Sequence, residues 1–259
     1  MKRMLATVIV SFAIAGCATG QGVATGAAIP PSPTPAPASS PTRPSPTADA
    51  SPSSSIVDLP IGSLVPGTTY RISDRCCVGP AGMYLTAPAG WFTIDTIFMG
   101  KNVLGDPNLY DILVGAHLVG NVYTGGCHWH GTALDPPVGP TVDDLANALV
   151  AHGGPGATAP TDVTIGGHPG KKVDLSIPAE VDVGTCDKEG GFPVFGRWSP
   201  AAAPLHGAPW TYGNGQHETV YIVDVDGTRQ VVDTMYLPGT SAANLDELEQ
   251  VLASIRFEP

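Results

Sequence analysis

The stretch Val220-Tyr221-Ile222-Val223-Asp224-Val225-Asp226-Gly227-Thr228-Arg229-Gln230-Val231-Val232-Asp233-Thr234-Met235-Tyr236 decides the fold class. Two β-prone arms, Val220 to Val225 and Gln230 to Tyr236, flank Asp226-Gly227, a dipeptide suited to a tight hairpin turn that needs positive φ. Val223, Val225, Val231 and Met235 occupy odd positions. That period of two predicts one face on a core and one toward water.

Working outward, Val163 to Ile165 and Lys172 to Ile177 flank Gly166-Gly167-His168-Pro169-Gly170 and predict a second hairpin. Thr69 to Ile72, Met83 to Thr86 and Trp91 to Ile94 read as short strands. Asp111 to Tyr123 reads as one long strand, bulged at Gly115 or Gly120. Two helices are legible. One follows Thr141, whose hydroxyl can cap it, with Asp143 and Asp144 in the first turn, a stripe of Leu145, Leu149 and Val150, and Gly153-Gly154 as its stop. The other covers about 242–255 after Ser241, with Leu245, Leu248, Leu252 and Ile255 spaced by three and four. Hairpins with two interspersed helices, and no βαβ crossovers, give an α+β domain with an antiparallel sheet flanked by helices. Residues 56–259 show no repeat and no second linker, so they are expected to form a single domain.

The N-terminus carries an address. Lys2 and Arg3 precede an almost wholly apolar run to Ala15, and small residues stand before Cys17, so residues 1–16 read as a secretory signal peptide. Ile14-Ala15-Gly16-Cys17 resembles the bacterial lipobox, which implies cleavage before Cys17 and attachment of acyl chains, palmitate among them. Each buried CH₂ contributes about 0.8 kcal/mol, so two or three chains anchor where one would not. The expected location is the extracytoplasmic face of the cell membrane. Residues 17–55 follow as the lipidated cysteine and a Pro/Ala/Ser/Thr linker, with nine prolines between Pro30 and Pro52 and only Arg43 and Asp49 charged. Such a composition buries too little apolar surface to offset its ordering entropy, so the linker is expected to be disordered. The net charge of -11, from 12 Lys+Arg against 23 Asp+Glu, argues against a nucleic-acid partner.

Pro88-Ala89-Gly90-Trp91 after a strand, the turns Gly167 to Lys171 and Val223 to Arg229, and a closing helix ending Ser254-Ile255-Arg256-Phe257 together resemble bacterial lipoproteins with a PsbP-like α+β sandwich. The resemblance covers most of 84–259 and leaves 56–80 unmatched. It rests on turns and a docking helix. It implies an antiparallel sheet flanked by helices and a role in binding or assembly, and it brings no catalytic residues or cofactors.

Beyond Cys17 there are four cysteines, Cys76, Cys77, Cys127 and Cys186. In an exported domain an even count reads as disulfides, with three connectivities open. A Cys76–Cys77 bond would close a strained small ring. The family resemblance implies Cys127–Cys186 and leaves Cys76 and Cys77 unassigned; the alternative pairs each of Cys76 and Cys77 with one of the other two.

Other chemistry is sparse. Cys127-His128-Trp129-His130 puts a thiol and two imidazoles within four residues, and in a strand His128 and His130 would share a face. Zinc needs about four such donors, and no C-x-x-C or H-x-x-x-H frame accompanies them. Asp224-Val225-Asp226-Gly227 opens like a calcium loop but lacks the Glu that should follow, so it reads as a turn. His217 and Glu218 form an acid/base pair on paper, and Asp182, Asp187 and Glu189 read as a solvated acidic loop. Trp198 and Trp210, with Tyr212, bracket a Pro/Ala/Gly loop that either lines a groove for an apolar or glycan ligand or is stapled down by them. The function expected is a membrane-anchored, non-enzymatic binding or assembly module of the envelope. A small-ligand protein with a pocket near Trp198 and Trp210, and a metal-binding protein using His128 and His130, are the alternatives.

Overall fold

The computed structural model describes residues 56–73, 78–79, 81–102, 110–152, 154, 156–189, 191–200 and 213–258. Cys17, the signal peptide and linker, Cys76, Cys77, Gly153, Trp210 and Tyr212 lie outside the described residues. In chain order the first strands are β1 (Val57–Asp58), β2 (Gly62–Ser63), β3 (Thr69–Ile72), β4 (Gly82–Thr86), β5 (Phe92–Thr93), β6 (Phe98–Lys101), β7 (Ile112–His117) and β8 (Val119–Val122). After α1 (Val142–His152) come β9 (Thr161–Ile165), β10 (His168–Ser176), β11 (Lys188–Glu189), β12 (Phe192–Pro193) and β13 (Trp198–Pro200). The chain closes with β14 (His217–Val225), β15 (Thr228–Tyr236), α2 (Ala242–Ser254) and β16 (Arg256–Glu258).

The domain is α+β with antiparallel sheets. The main sheet has the order β2-β5-β6-β7-β15-β14-β10-β9, and the pairs are antiparallel throughout. A four-stranded sheet, β1-β3-β4-β16, is antiparallel apart from the parallel pair β1/β3. β8 pairs with β13, and β11 with β12, in short ribbons.

The turn at Asp226-Gly227 forms as expected, with φ of 53° and 83° and the Gly227 N–H donating to Asp224 Oδ1. Its two residues set the register Val225↔Thr228, so an odd position on β14 always faces an even one on β15. Facing residues share a side of the sheet. Val223 and Val225 therefore enter the core under α2, whereas Val231 enters the core under α1. The expected wet face is absent over most of the hairpin, because β14 and β15 are central strands with elements packed on both sides. One side carries α2 and the small sheet, packing Leu248, Val251 and Leu252 against Val223, Val232 and Ala116. The other carries α1 and β8/β13, packing Leu145, Leu149, Val122 and Trp198 against Val220, Ile222 and Val231.

Both helices start as their sequences predict. Thr141 Oγ1 accepts from the Asp144 N–H while Asp144 Oδ2 accepts from the Thr141 N–H, a reciprocal capping box. Ser241 caps α2 through the Asn244 N–H. Three expectations need correction. The run 111–123 is two strands, not one bulged strand: after Leu118, β8 leaves the main sheet to pair with β13. The hairpin turn near 166 is only Gly166-Gly167, and His168 to Gly170 already belong to β10. The second helix stops at Ser254, and Arg256–Phe257, placed at the end of that helix by the resemblance, belong to a strand paired with β4.

Candidate binding trough and the buried charge cluster behind it

Alternation along β14 divides its residues between two very different environments. His217, Thr219 and Tyr221 face the α2 side, and Glu218 and Val220 face the α1 side. His217 and Glu218 thus stand on opposite faces of the sheet and do not form an acid/base pair.

On the α2 side the helix does not cover the sheet completely. A cleft of about 360 Å³ opens between α2 and β10, β14 and β15. A second stretch of about 600 Å³ continues it toward β9, sharing Lys172, Tyr221, Glu249 and Leu252. Together they form an open trough. At one end the His217 and Tyr236 rings stack 4.7 Å apart at 12°. Along the floor Asp174 Oδ1 accepts from Thr219 Oγ1 at 2.8 Å and pairs with Lys172 Nζ at 3.2 Å. Leu248 and Leu252 supply an apolar helix wall, and Glu249 stands exposed on the same helix. Burial pushes the Tyr221 phenol upward, with the carboxylates of Glu249 and Asp174 adding to the shift.

On the α1 side sits a cluster of ionisable groups closed off from water. The Arg197 side chain is 1% exposed and its Nε lies 3.6 Å from Glu218 Oε2, while Nη2 donates to the Ser176 carbonyl at 2.6 Å. The guanidinium also sits over the Phe195 ring at 5.1 Å. Trp198 Nε1 donates to Glu218 Oε1 at 3.2 Å. Asp233 faces Gly115 and Val220, which places it diagonally beside both Glu218 and His117. Burial drives both carboxyls upward, and Asp233 well above the usual range, because Glu218 opposes its ionisation. One cation faces two acids here, so the two carboxyls oppose each other's ionisation. The imidazole of His117 packs against Trp198 and Phe98, and burial lowers its pKa to about 3. Among the described residues, His117 Nε2 and Asp233 Oδ1 are buried without a hydrogen-bond partner.

The other sequence-predicted residues are placed as follows. Cys127 and Cys186 form a disulfide that ties the turn Gly126–His128 to the turn Val183–Thr185. His128 and His130 lie in turns, not in a strand, and both reach the same carboxylate: Nδ1 of each stands 3.4 and 3.2 Å from Asp187 oxygens. The His130 N–H also donates to Asp187 Oδ2, and these contacts hold Asp187 below the usual carboxylate range. Asp182 caps the turn at 183–185 through the Gly184 N–H. Asp182 is exposed, as a solvated loop implies, but both it and the half-buried Asp187 are also hydrogen-bonded within the disulfide-tied loop. Among the described residues no group of three His, Cys, Asp or Glu side chains could hold a metal ion. Trp91 and Trp129 are core side chains, each with its indole N–H donated, to Glu247 and to the Val194 carbonyl. Trp198 is 1% exposed and supplies no groove wall. Among the described residues no helix is long and apolar enough to cross a membrane.

Sequence reasoning missed both the trough and the Arg197 cluster. The one signal available for the cluster was Glu218 and Asp233 interrupting apolar strand runs, a pattern that marks buried polar groups only when both faces of the strands are covered.

No protein-family model matches the chain, and no curated protein matches it. A crystal structure from Bacteroides thetaiotaomicron VPI-5482 is similar over 68% of this chain at 12% identity, with a TM-score of 0.31. This chain spans 45% of that protein's length, and a likeness so slight fixes neither fold nor activity.

Proposed function

We propose that the protein is a membrane-anchored extracytoplasmic lipoprotein of PsbP-like architecture that acts as a non-enzymatic binding or assembly module of the cell envelope. The anchor rests on the lipobox-like Ile14 to Cys17. Export is supported by the Cys127–Cys186 disulfide, since such bonds persist in oxidising compartments. The observation that carries the binding reading is the open trough beside α2, where aromatic rings, hydroxyls and carboxylates line a concave surface on a rigid sheet.

The test uses the full chain in a bacterial host that carries the lipoprotein-processing enzymes. Metabolic labelling with a palmitate analogue should mark the wild type in the membrane fraction and leave Cys17→Ser unmarked. A photo-crosslinking residue at Ala253, in the trough wall, should give a discrete adduct in intact cells, whereas one at the exposed Glu180 should not. An unlabelled, unanchored wild type, or identical adducts from both positions, would remove this reading.

A further inference from the structure

The trough has a charge character that narrows what can lie in it. Its charged lining is Lys172, Asp174 and Glu249; Glu218 borders it too, but its carboxylate is held by Arg197 and Trp198 on the other face of the sheet. Lys172 is spent on Asp174, whose other contact is the Thr219 hydroxyl. Glu249 has no ion-pair partner among the described residues, so it leaves the trough with a net negative charge. The same excess extends over the exposed surface of α2, where Asp246 and Glu249 stand out and no basic residue occurs in the helix. The whole chain is acidic as well, at -11.

The apolar lining matches this charge. Leu245, half-buried on the trough side of α2 above the buried Leu248 and Leu252, offers apolar surface on which the aliphatic stem of a long cationic side chain can lie. The stacked His217–Tyr236 pair offers aromatic surface that attracts a cation. An acidic occupant would meet Glu249, and like charges across an interface suppress wrong partners. The trough is open along the helix, so it suits an extended segment better than a compact small molecule.

We propose that the trough between α2 and strands β10 and β14 docks an extended basic peptide segment of an envelope partner, with Glu249 receiving a Lys or Arg side chain whose stem lies on Leu245. This rests on the binding-module reading above and names the chemistry of its partner. Recognition has two parts: attraction at Glu249 sets the association rate, and the aromatic and leucine surface sets the register.

The experiment titrates the full chain, in detergent micelles of a nonionic surfactant, with three fluorescent decapeptides of equal length: alternating Lys-Ala, alternating Glu-Ala and alternating Ser-Ala. The basic peptide should bind and the other two should not. Glu249→Lys should weaken it by about tenfold, the scale of one lost charge-assisted contact of about 1.4 kcal/mol. Glu180→Lys makes the same change in net charge away from the trough and should have little effect. Glu249→Gln keeps the shape and should fall between, with a flatter salt dependence. Equal weakening by Glu249→Lys and Glu180→Lys would overturn the proposal, because attraction would then be global. Preference for the neutral or acidic peptide would overturn it too. Retention of the adduct at 253 in cells alongside failure of the basic peptide would sink the basic-segment inference and leave the binding module standing.

Discussion

Replacing Arg197 with methionine tests whether the buried carboxyl pair depends on its cation. Methionine fills much of the space of the arginine stem but removes the charge that faces Glu218 at 3.6 Å and the donor to the Ser176 carbonyl. Removing one partner of a buried ion pair costs about 3–5 kcal/mol, since the other charge stays behind without compensation. For a domain of this size each kcal/mol moves Tm by about 2–4 °C, so the expected drop is about 6–20 °C by circular dichroism. The pH dependence gives a second readout. Folding raises the pKa of Glu218 and Asp233. Their contribution is complete below about pH 4, where unfolded carboxyls are also protonated, and declines as pH rises through the raised folded values. Without Arg197 those values rise further, so the deficit of the variant should widen between pH 4 and pH 8. Adding Glu218→Gln to Arg197→Met removes one of the stranded acids and should recover part of the loss at pH 8. A deficit below about 1 kcal/mol at pH 8, or one equal at the two pH values, would refute the reasoning.

Three further outcomes are expected. The imidazole of His117 is neutral when folded, with a pKa lowered to about 3, so its contribution is present above pH 6.5 and is lost as pH falls toward 3. At pH 5 this amounts to about 2 kcal/mol, at 1.36 kcal/mol per unit. His117→Leu should remove that dependence, and urea titrations in which the gap between wild type and variant stays constant from pH 7 to pH 5 would contradict it. The double variant Cys127→Ser/Cys186→Ser opens a loop whose ends are 59 residues apart and should lose about 4 kcal/mol on the chain-entropy model, measured by urea unfolding against the oxidised wild type. Gly170→Ala would put a Cβ 2.1 Å from the Ile222 carbonyl of the facing strand, so β10 and β14 must part there. The expected cost is about 1–3 kcal/mol, and an unchanged Tm would show that the strand adjusts freely.

Local chemistry determined what the sequence could show by itself. The Asp226-Gly227 turn, the capping box at Thr141 and Asp144, and the Ser241 cap depend on residues a few positions apart, and all three appear in the structure. The α+β class followed from the same local signals. Pairing between distant segments was not written in any one window. β8 leaves the main sheet because β13, some eighty residues later, takes it up, and β16 forms because β4 offers an edge. Whether an odd strand position faces water or core depended on which elements cover each side, so the alternation in 220–236 identified strands but not their surroundings. The candidate sites follow the same division. Glu218, Asp233, Arg197 and His117 come from four separate stretches of chain, and only strand register brings them together beneath α1 and β13. The trough exists because α2 crosses the sheet without covering Lys172, Asp174 and Thr219. A charge in sequence has no environment; the tertiary structure decided which carboxylates are sealed in the core and which remain open to solvent.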